Sequence, residues 1–298
     1  MKLSSEKQGE LFIFSEAILW GLFPVVSIIS YKSLSPLSSL AWSILFATLF
    51  FSVIMTIQKK WKELLTPHIW KDILLISFFI GICFYGFFFW GMKYTSAGNA
   101  SIVALIEIFF SYLLFHVWKK DGITLPHILG ALLMIIGAFL VLFPGSFHLN
   151  KGDILILIAV LFAPLGNHSQ QRVRKKISSI SILFLRSLFS APIIFLLAYL
   201  LGESNSLTEA RHSLMAIVIN GVTIMGFSKI LWLEGIHRIS VVKALALGSI
   251  SPIFALIFSY FIFDQIPSIW QISAFIPIFF GILLLTRTSK KKDVVVES

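Results

Sequence analysis

Residues 73–92 read ILLISFFIGICFYGFFFWGM, twenty consecutive residues without a single charge. Coiled as a helix at 1.5 Å per residue, such a run is about 30 Å long, the thickness of a bilayer's hydrocarbon core. Comparable apolar runs recur on both sides. They predict ten spans, at 11–31, 37–57, 73–92, 97–117, 125–143, 153–171, 178–201, 213–235, 241–263 and 268–286. Over all 298 residues, 57% are hydrophobic and 13% charged, and mean hydropathy is +0.92. A soluble domain has about 45–50% apolar and about 25% charged residues, so an ordinary water-soluble fold is excluded. The predicted class is an all-α membrane protein with ten transmembrane helices.

Charge orients the spans. Lys and Arg number 24 against 14 Asp and Glu. In a soluble protein that excess would suggest a nucleic-acid partner; here none is expected, because the cations fall at helix ends. With a cytoplasmic N-terminus, 17 of them lie in inside segments, among them Lys59, Lys60, Arg172, Arg174, Lys175 and Lys176. Only Lys32, Lys93, Lys151 and Arg211 lie outside, 4 in all. The positive-inside rule then places both termini in the cytoplasm and the chain in the cytoplasmic membrane as a multi-pass protein. Glu6, Glu10 and Glu16 around the first run, and Pro24 within it, argue for a retained helix rather than a cleaved leader. The single cysteine, Cys83, permits no intrachain disulfide and reads as packing.

The two halves of the chain answer each other. A shift of 144 residues brings Gly91, Ser96, Ala100, Ile106, Phe110, Ile128, Gly137 and Leu140 onto Gly235, Ser240, Ala244, Ile250, Phe254, Ile272, Gly281 and Leu284. Gly9-Glu10 before span 1 is matched by Gly152-Asp153 before span 6. This divides the chain into repeats at 1–147 and 148–298, the second ending in a short basic cytoplasmic tail. Five spans per repeat is an odd number, so the halves would be inverted in the membrane, an architecture associated with alternating access.

In order and spacing, several short motifs resemble the EamA branch of the drug/metabolite transporter superfamily. They are Leu19-Trp20-Gly21, the run Lys93-Tyr94-Thr95-Ser96-Ala97-Gly98-Asn99-Ala100, and Asp121-Gly122-Ile123-Thr124 followed by Gly130 and Gly137. The second half repeats the pattern as Ser251-Pro252-Ile253-Phe254, Asp264-Gln265-Ile266-Pro267-Ser268 and Gly281. The chain departs from the family at Asp121 and Gln265, where Glu is usual, at Ile108, where the family has Pro, and at Trp42, where many members carry Arg; span 7 keeps Arg186. The resemblance implies a secondary transporter with a central cavity lined by spans 1, 3, 4, 6, 8 and 9, and spans 5 and 10 at the periphery. It also implies a small metabolite as cargo, commonly an amino acid on its way out of the cell.

Charged groups inside the spans narrow the site. An ionised side chain at the bilayer centre costs roughly 2.5–3.5 kcal/mol, so it must pair, face water or snorkel. Glu107 lies about 15 Å from either end of span 4, too deep to snorkel. It is either a substrate or proton carboxylate or a structural hydrogen-bonding group. Glu16 and Trp20 share a face of span 1 at an i, i+4 spacing, either as a cavity wall or as an interfacial pair. Lys243 and its repeat mate Asn99 sit at the starts of spans 9 and 4, where helix N-termini favour an anionic group; snorkelling is the competing reading for Lys243. Lys229 and Arg186 lie deeper and could pair with Glu234 or Glu16, with Lys229 the better site candidate and Arg186 mainly structural. His168, beside Asn167 and after Pro164 and Gly166, reads either as a proton relay or as an interfacial polar residue.

Neither a nucleotide-binding loop nor a metal-ligand pattern appears, so no cofactor and no metal are expected, and enzymatic chemistry is disfavoured because the candidates are scattered in depth. The 30 Phe and 8 Trp mostly face lipid or pack helices. The mixed charges favour a zwitterionic cargo, with Glu107 or Glu16 on the amine and Lys243 or Lys229 on the acid. The partners expected are that small molecule, membrane lipid and a coupled proton, with proton-free exchange the other option. An importer or exchanger of a nucleoside-type metabolite such as S-adenosylmethionine is the alternative cargo reading. A non-transporting membrane partner or sensor is the alternative from another class.

Overall fold

The computed structural model describes residues 4–119, 125–143, 150–203 and 206–286. Within them the chain is helical, with no strand. The long helices are α1 (Ser5–Ser30), α2 (Pro36–Ile57), α3 (Trp70–Met92), α4 (Ala97–Ala104 and Ile106–Lys119), α5 (Leu125–Leu142), α6 (Lys151–Val173), α7 (Ser179–Leu200), α8 (Leu214–Arg238), α9 (Val241–Gly248 and Ser251–Phe263) and α10 (Ile269–Thr286). Eight are long and apolar enough to cross a membrane by the described residues; α5 and α10 are shorter apolar helices. The motif Asp121-Gly122-Ile123-Thr124 and the basic tail from Arg287 onward lie outside the described residues.

Helix starts follow from capping. Ser4 accepts from the Lys7 amide, Ser96 from Asn99, Ser178 from Ser181 and Ser240 from Lys243, while Asn150 accepts from Gly152. Each satisfies an amide that the helix itself leaves without a partner. The Ser4 cap, with Glu6 in the first turn, starts α1 about two turns before the apolar run begins. Pro36 opens α2 at a position where its missing N–H costs nothing.

Four helices depart from regularity in matching pairs. α3 carries a π-helical segment at Ser77–Phe84 and α8 one at Ile219–Ser228. α4 breaks at Leu105 and α9 at Ser249 and Ile250, both through tightened i→i−3 bonds such as Leu105 to Ile102 and Ser249 to Ala246. Pro252 follows the break in α9. Its counterpart Ile108 has no such ring, and α4 breaks all the same. Segments of this kind interrupt the helical ladder and frequently accompany binding sites in membrane proteins.

Packing is crossed between the two halves: α1 lies on α8 and α9, α6 on α3 and α4, α2 on α7, and α5 on α10. Glycines allow the closest approaches. Gly152 lies so near Gly91 that an added Cβ would stand 2.5 Å from the Gly91 carbonyl and 2.8 Å from the Tyr94 carbonyl carbon. Gly9 faces Gly235 in the corresponding contact between α1 and α8. Because the obstructing atoms at Gly152 are backbone, Gly152→Val should force α6 away from α3 and lower stability by about 1–3 kcal/mol, read as an earlier thermal unfolding transition in detergent.

The polarity of the bundle is inverted relative to a soluble protein. Large apolar side chains such as Ile135, Phe139, Leu196, Phe261 and Phe280 are exposed, whereas Ser27, Ser30, Ser39, Ser43 and Asn220 are buried. Asn220 donates to Ser27 Oγ at 3.0 Å, Ser213 donates to the Ser30 carbonyl at 2.9 Å, and the Ser30 and Ser39 hydroxyls bond each other, joining α1, α2 and α8. Small residues and interhelical hydrogen bonds hold helices together where lipid replaces water outside. This is a multi-pass membrane protein.

Outside the membrane, the link between α2 and α3 is tied to the start of α7. Glu63 accepts from the Ser178 amide and the Ser181 hydroxyl, each at 2.7 Å. Partial burial pushes its carboxyl up, but these two hydrogen bonds prevail and hold it below its ordinary value. A depressed carboxyl contributes stability above the ordinary carboxylate range and loses it as pH falls through the lowered value. Glu63→Gln should therefore reduce the acid-side loss of stability, checked by unfolding from pH 7 to pH 3.

Candidate functional site

Where the π-helical and broken segments meet, the bundle holds a chamber. Its wall comes from Glu16 and Trp20 of α1, Ile80, Phe84 and Tyr85 of α3, Ser101, Ala104 and Glu107 of α4, Asn167 and Gln170 of α6, Arg186 of α7, Lys229 and Trp232 of α8, and Leu245, Gly248 and Ser251 of α9. The irregular segments set these positions. Tyr85 and Lys229 are the first residues after the two π-helical stretches, and Glu107 lies in the first turn after the break in α4. At a helix start the free amides and the helix dipole favour a carboxylate.

Two hydrogen-bonded groups carry the charge. Lys229 Nζ lies 2.5 Å from Glu16 Oε1 and 3.4 Å from the centre of the Trp20 ring, and Ser228 donates to the same carboxylate at 3.4 Å. Glu16 is 4% and Lys229 7% exposed, so this is a desolvated ion pair completed by a cation–π contact. Across the chamber, Asn167 Nδ2 donates to Glu107 Oε1 at 2.8 Å. Asn167 Oδ1 in turn accepts from Gln170 at 2.9 Å and Trp232 at 3.3 Å, which fixes the amide's orientation. Glu107 itself is half-buried, its remaining surface turned to the cavity.

Beyond the chamber wall the bundle carries an aromatic cluster in one direction and an ionic cluster in the other. Towards Ser30, Trp20 stacks on Phe23 at 4.2 Å, and Phe23 meets Tyr85, Phe88 and Phe89 at 5.2–6.1 Å. Towards Arg238, Glu234 accepts from Arg174 at 2.7 Å and Arg238 at 2.5 Å, and Arg172 pairs with Asp72. The cavity between them has a volume of about 90 Å³. At about 30 Å³ of liquid volume for each water, that is room for roughly three waters or one small solute.

Of the residues singled out from sequence, the structure brings Glu107, Glu16, Trp20 and Lys229 together in this chamber. Lys243 lies elsewhere: its ammonium group pairs with Glu6 and, at 2.6 Å, with Glu10, and it is 38% exposed. Asn99 accepts from Gln271 at 2.7 Å on the opposite side of α4, and His168 is half-buried outside the chamber wall. The physical reason is the same for Lys243 and Asn99, since each sits in the first turn of a helix whose broken middle, one or two turns later, is what faces the cavity. Glu234, a proposed partner for Lys229, belongs instead to Arg174 and Arg238. Arg186, Tyr85, Gln170 and Trp232 complete the wall without having been picked out as site residues. For Arg186 the signal was present, a cation about eight residues inside an apolar span.

Residues 7–143 and 150–287 each match the EamA-like transporter family. A Bacillus subtilis (strain 168) protein named Uncharacterized transporter YoaV is 19% identical, over 95% of this chain and 98% of its own length. A Methanothermobacter thermautotrophicus protein named Uncharacterized transporter is 24% identical, over 95% of this chain and 87% of its own. A solved crystal structure superposes with a TM-score of 0.71 at 17% identity, covering 94% of this chain and 97% of the other, which shows a shared fold. With two matches that together take in nearly the whole described chain, the protein belongs to the EamA-like transporter family.

Proposed function

We propose that the protein is a ten-helix secondary transporter, built from inverted repeats at 1–147 and 148–298, that moves a small zwitterion of the amino-acid class by alternating access. The observation that carries this reading is the chamber itself: a cavity at the junction of the two halves, with both carboxylates and cations in its wall. Charges that deep are retained in membrane proteins mainly where they serve a pathway or a ligand. The cavity volume favours a solute of amino-acid size over a nucleoside derivative of about twenty or more heavy atoms. Glu107 receives the substrate's ammonium group, and its open face is also where a coupled proton would be carried. The excess of Lys and Arg at the Arg238 end of the bundle supports cytoplasmic termini in the cytoplasmic membrane; export is the direction proposed, on the family resemblance alone.

The test is uptake into proteoliposomes of a labelled panel of amino acids and nucleoside metabolites, with and without an imposed pH gradient and an internal counter-substrate. Saturable transport of an amino acid that responds to the pH gradient is the expected result. Transport restricted to a nucleoside derivative would replace the cargo. Counterflow indifferent to pH would remove the proton.

A further inference from the structure

Arg186 is the group the chamber leaves incomplete. It is 2% exposed, it forms part of the cavity wall, and its Nη2 atom has no hydrogen-bond partner. A guanidinium keeps its proton in proteins and presents five donors in a planar fork. Leaving one of those donors buried without an acceptor is unfavourable, so the position is suited to an acceptor that arrives from outside.

None of the neighbouring polar groups accepts from Nη2. Glu16 is held by Lys229 at 2.5 Å, Asn167 Oδ1 already accepts from Gln170 and Trp232, and Glu107 is held by Asn167. Tyr85 accepts a hydrogen bond from the guanidinium and has its ring centre 5.5 Å away, and Nη2 is still left without an acceptor. Among the described residues no carboxylate forms an ion pair with Arg186. The other cations considered for an acidic substrate group are engaged: Lys229 lies between Glu16 and the Trp20 ring, and Lys243 lies outside the chamber on Glu6 and Glu10.

We propose that Arg186 binds the carboxylate of the transported zwitterion while Glu107 binds its ammonium group. This rests on the chamber being the transport site. A planar carboxylate matches the guanidinium fork in geometry. A phosphate dianion suits the site less well, because Glu16 and Glu107 would oppose its second charge. Arg186 lies on α7 in the second half of the chain and Glu107 on α4 in the first, so one small molecule held by both would bridge the two halves.

The experiment uses proteoliposomes of the full chain and the amino acid, among the common twenty, that the wild type takes up fastest. Its KM is compared with the inhibition constant of its own carboxamide, which keeps the ammonium group and loses the negative charge. In the wild type the amino acid should be preferred by roughly thirtyfold, and Arg186→Gln should abolish that preference by weakening the amino acid alone. Arg186→Lys, which retains the charge without the fork, should restore part of it and guards against a Gln variant that fails to fold. An undiminished preference in Arg186→Gln, or equal weakening of both compounds, would overturn the assignment while leaving the chamber as the transport site. If the wild type takes up none of the twenty amino acids, the amino-acid reading of the chamber fails first, and the carboxylate assignment with it.

Discussion

Lys229→Met should destabilise the protein by about 3–5 kcal/mol, the typical cost of removing one partner from a buried ion pair. The replacement leaves Glu16, which is 4% exposed, with the Ser228 hydroxyl at 3.4 Å as its remaining hydrogen-bond partner. It also removes the ammonium group from the face of Trp20. The double variant Glu16→Gln/Lys229→Met should recover most of the loss, because the pair is then replaced by neutral groups of similar bulk. Thermal unfolding of the three variants in one detergent checks both statements. A single variant as stable as the wild type would mean that water or another group compensates Glu16, and the pair would no longer anchor α1 to α8.

The second large effect concerns transport rather than folding. Glu107→Gln keeps the size of the side chain and a carbonyl acceptor in the first turn of the second piece of α4, and it removes the negative charge. Asn167 can still donate to it, so the protein should fold and its unfolding temperature should change little. Uptake should fall by roughly a hundredfold in kcat/KM, equivalent to losing a charge-assisted contact of about 3 kcal/mol with the ammonium group. Uptake at the wild-type rate would remove Glu107 from the site. A large drop in stability would instead identify it as a structural hydrogen-bonding residue.

Much of the architecture was legible in the sequence because lipid is an undemanding reader of polarity: twenty uncharged residues such as 73–92 can hardly do anything but form a buried or membrane helix. The repeat was legible through residues with a geometric duty. Ser96 and Ser240 cap corresponding helices, and Gly9 and Gly152 allow corresponding close approaches. The irregular segments were not. Nothing in the composition of Ser77–Phe84 or Ile219–Ser228 distinguishes a π-helical stretch from an α-helical one, and Ile108 lacks the proline that would have announced the break in α4. Those segments decide which side chains face the cavity. Sequence depth placed Glu107 inside, because its carboxylate is too short to escape, whereas for Glu16 the i, i+4 spacing to Trp20 left a cavity wall and an interfacial pair both open. Depth was a poor guide for Lys243, placed beside Asn99 by the repeat alone, and for Arg186, whose long side chain fits a snorkelling and an inward orientation equally well until Tyr85 and the cavity are seen.

Whether the cargo occupies this chamber is tested most directly by protection of a cysteine placed in its wall. Cys83 is the only cysteine, so Cys83→Ser gives a cysteine-free background into which Ala104→Cys is introduced on the cavity face of α4. A small membrane-permeant thiol reagent should label the new cysteine, and the amino acid transported by the same preparation should slow that labelling at concentrations near its KM. Labelling that proceeds at an unchanged rate while saturable transport continues would place the substrate's path elsewhere in the bundle.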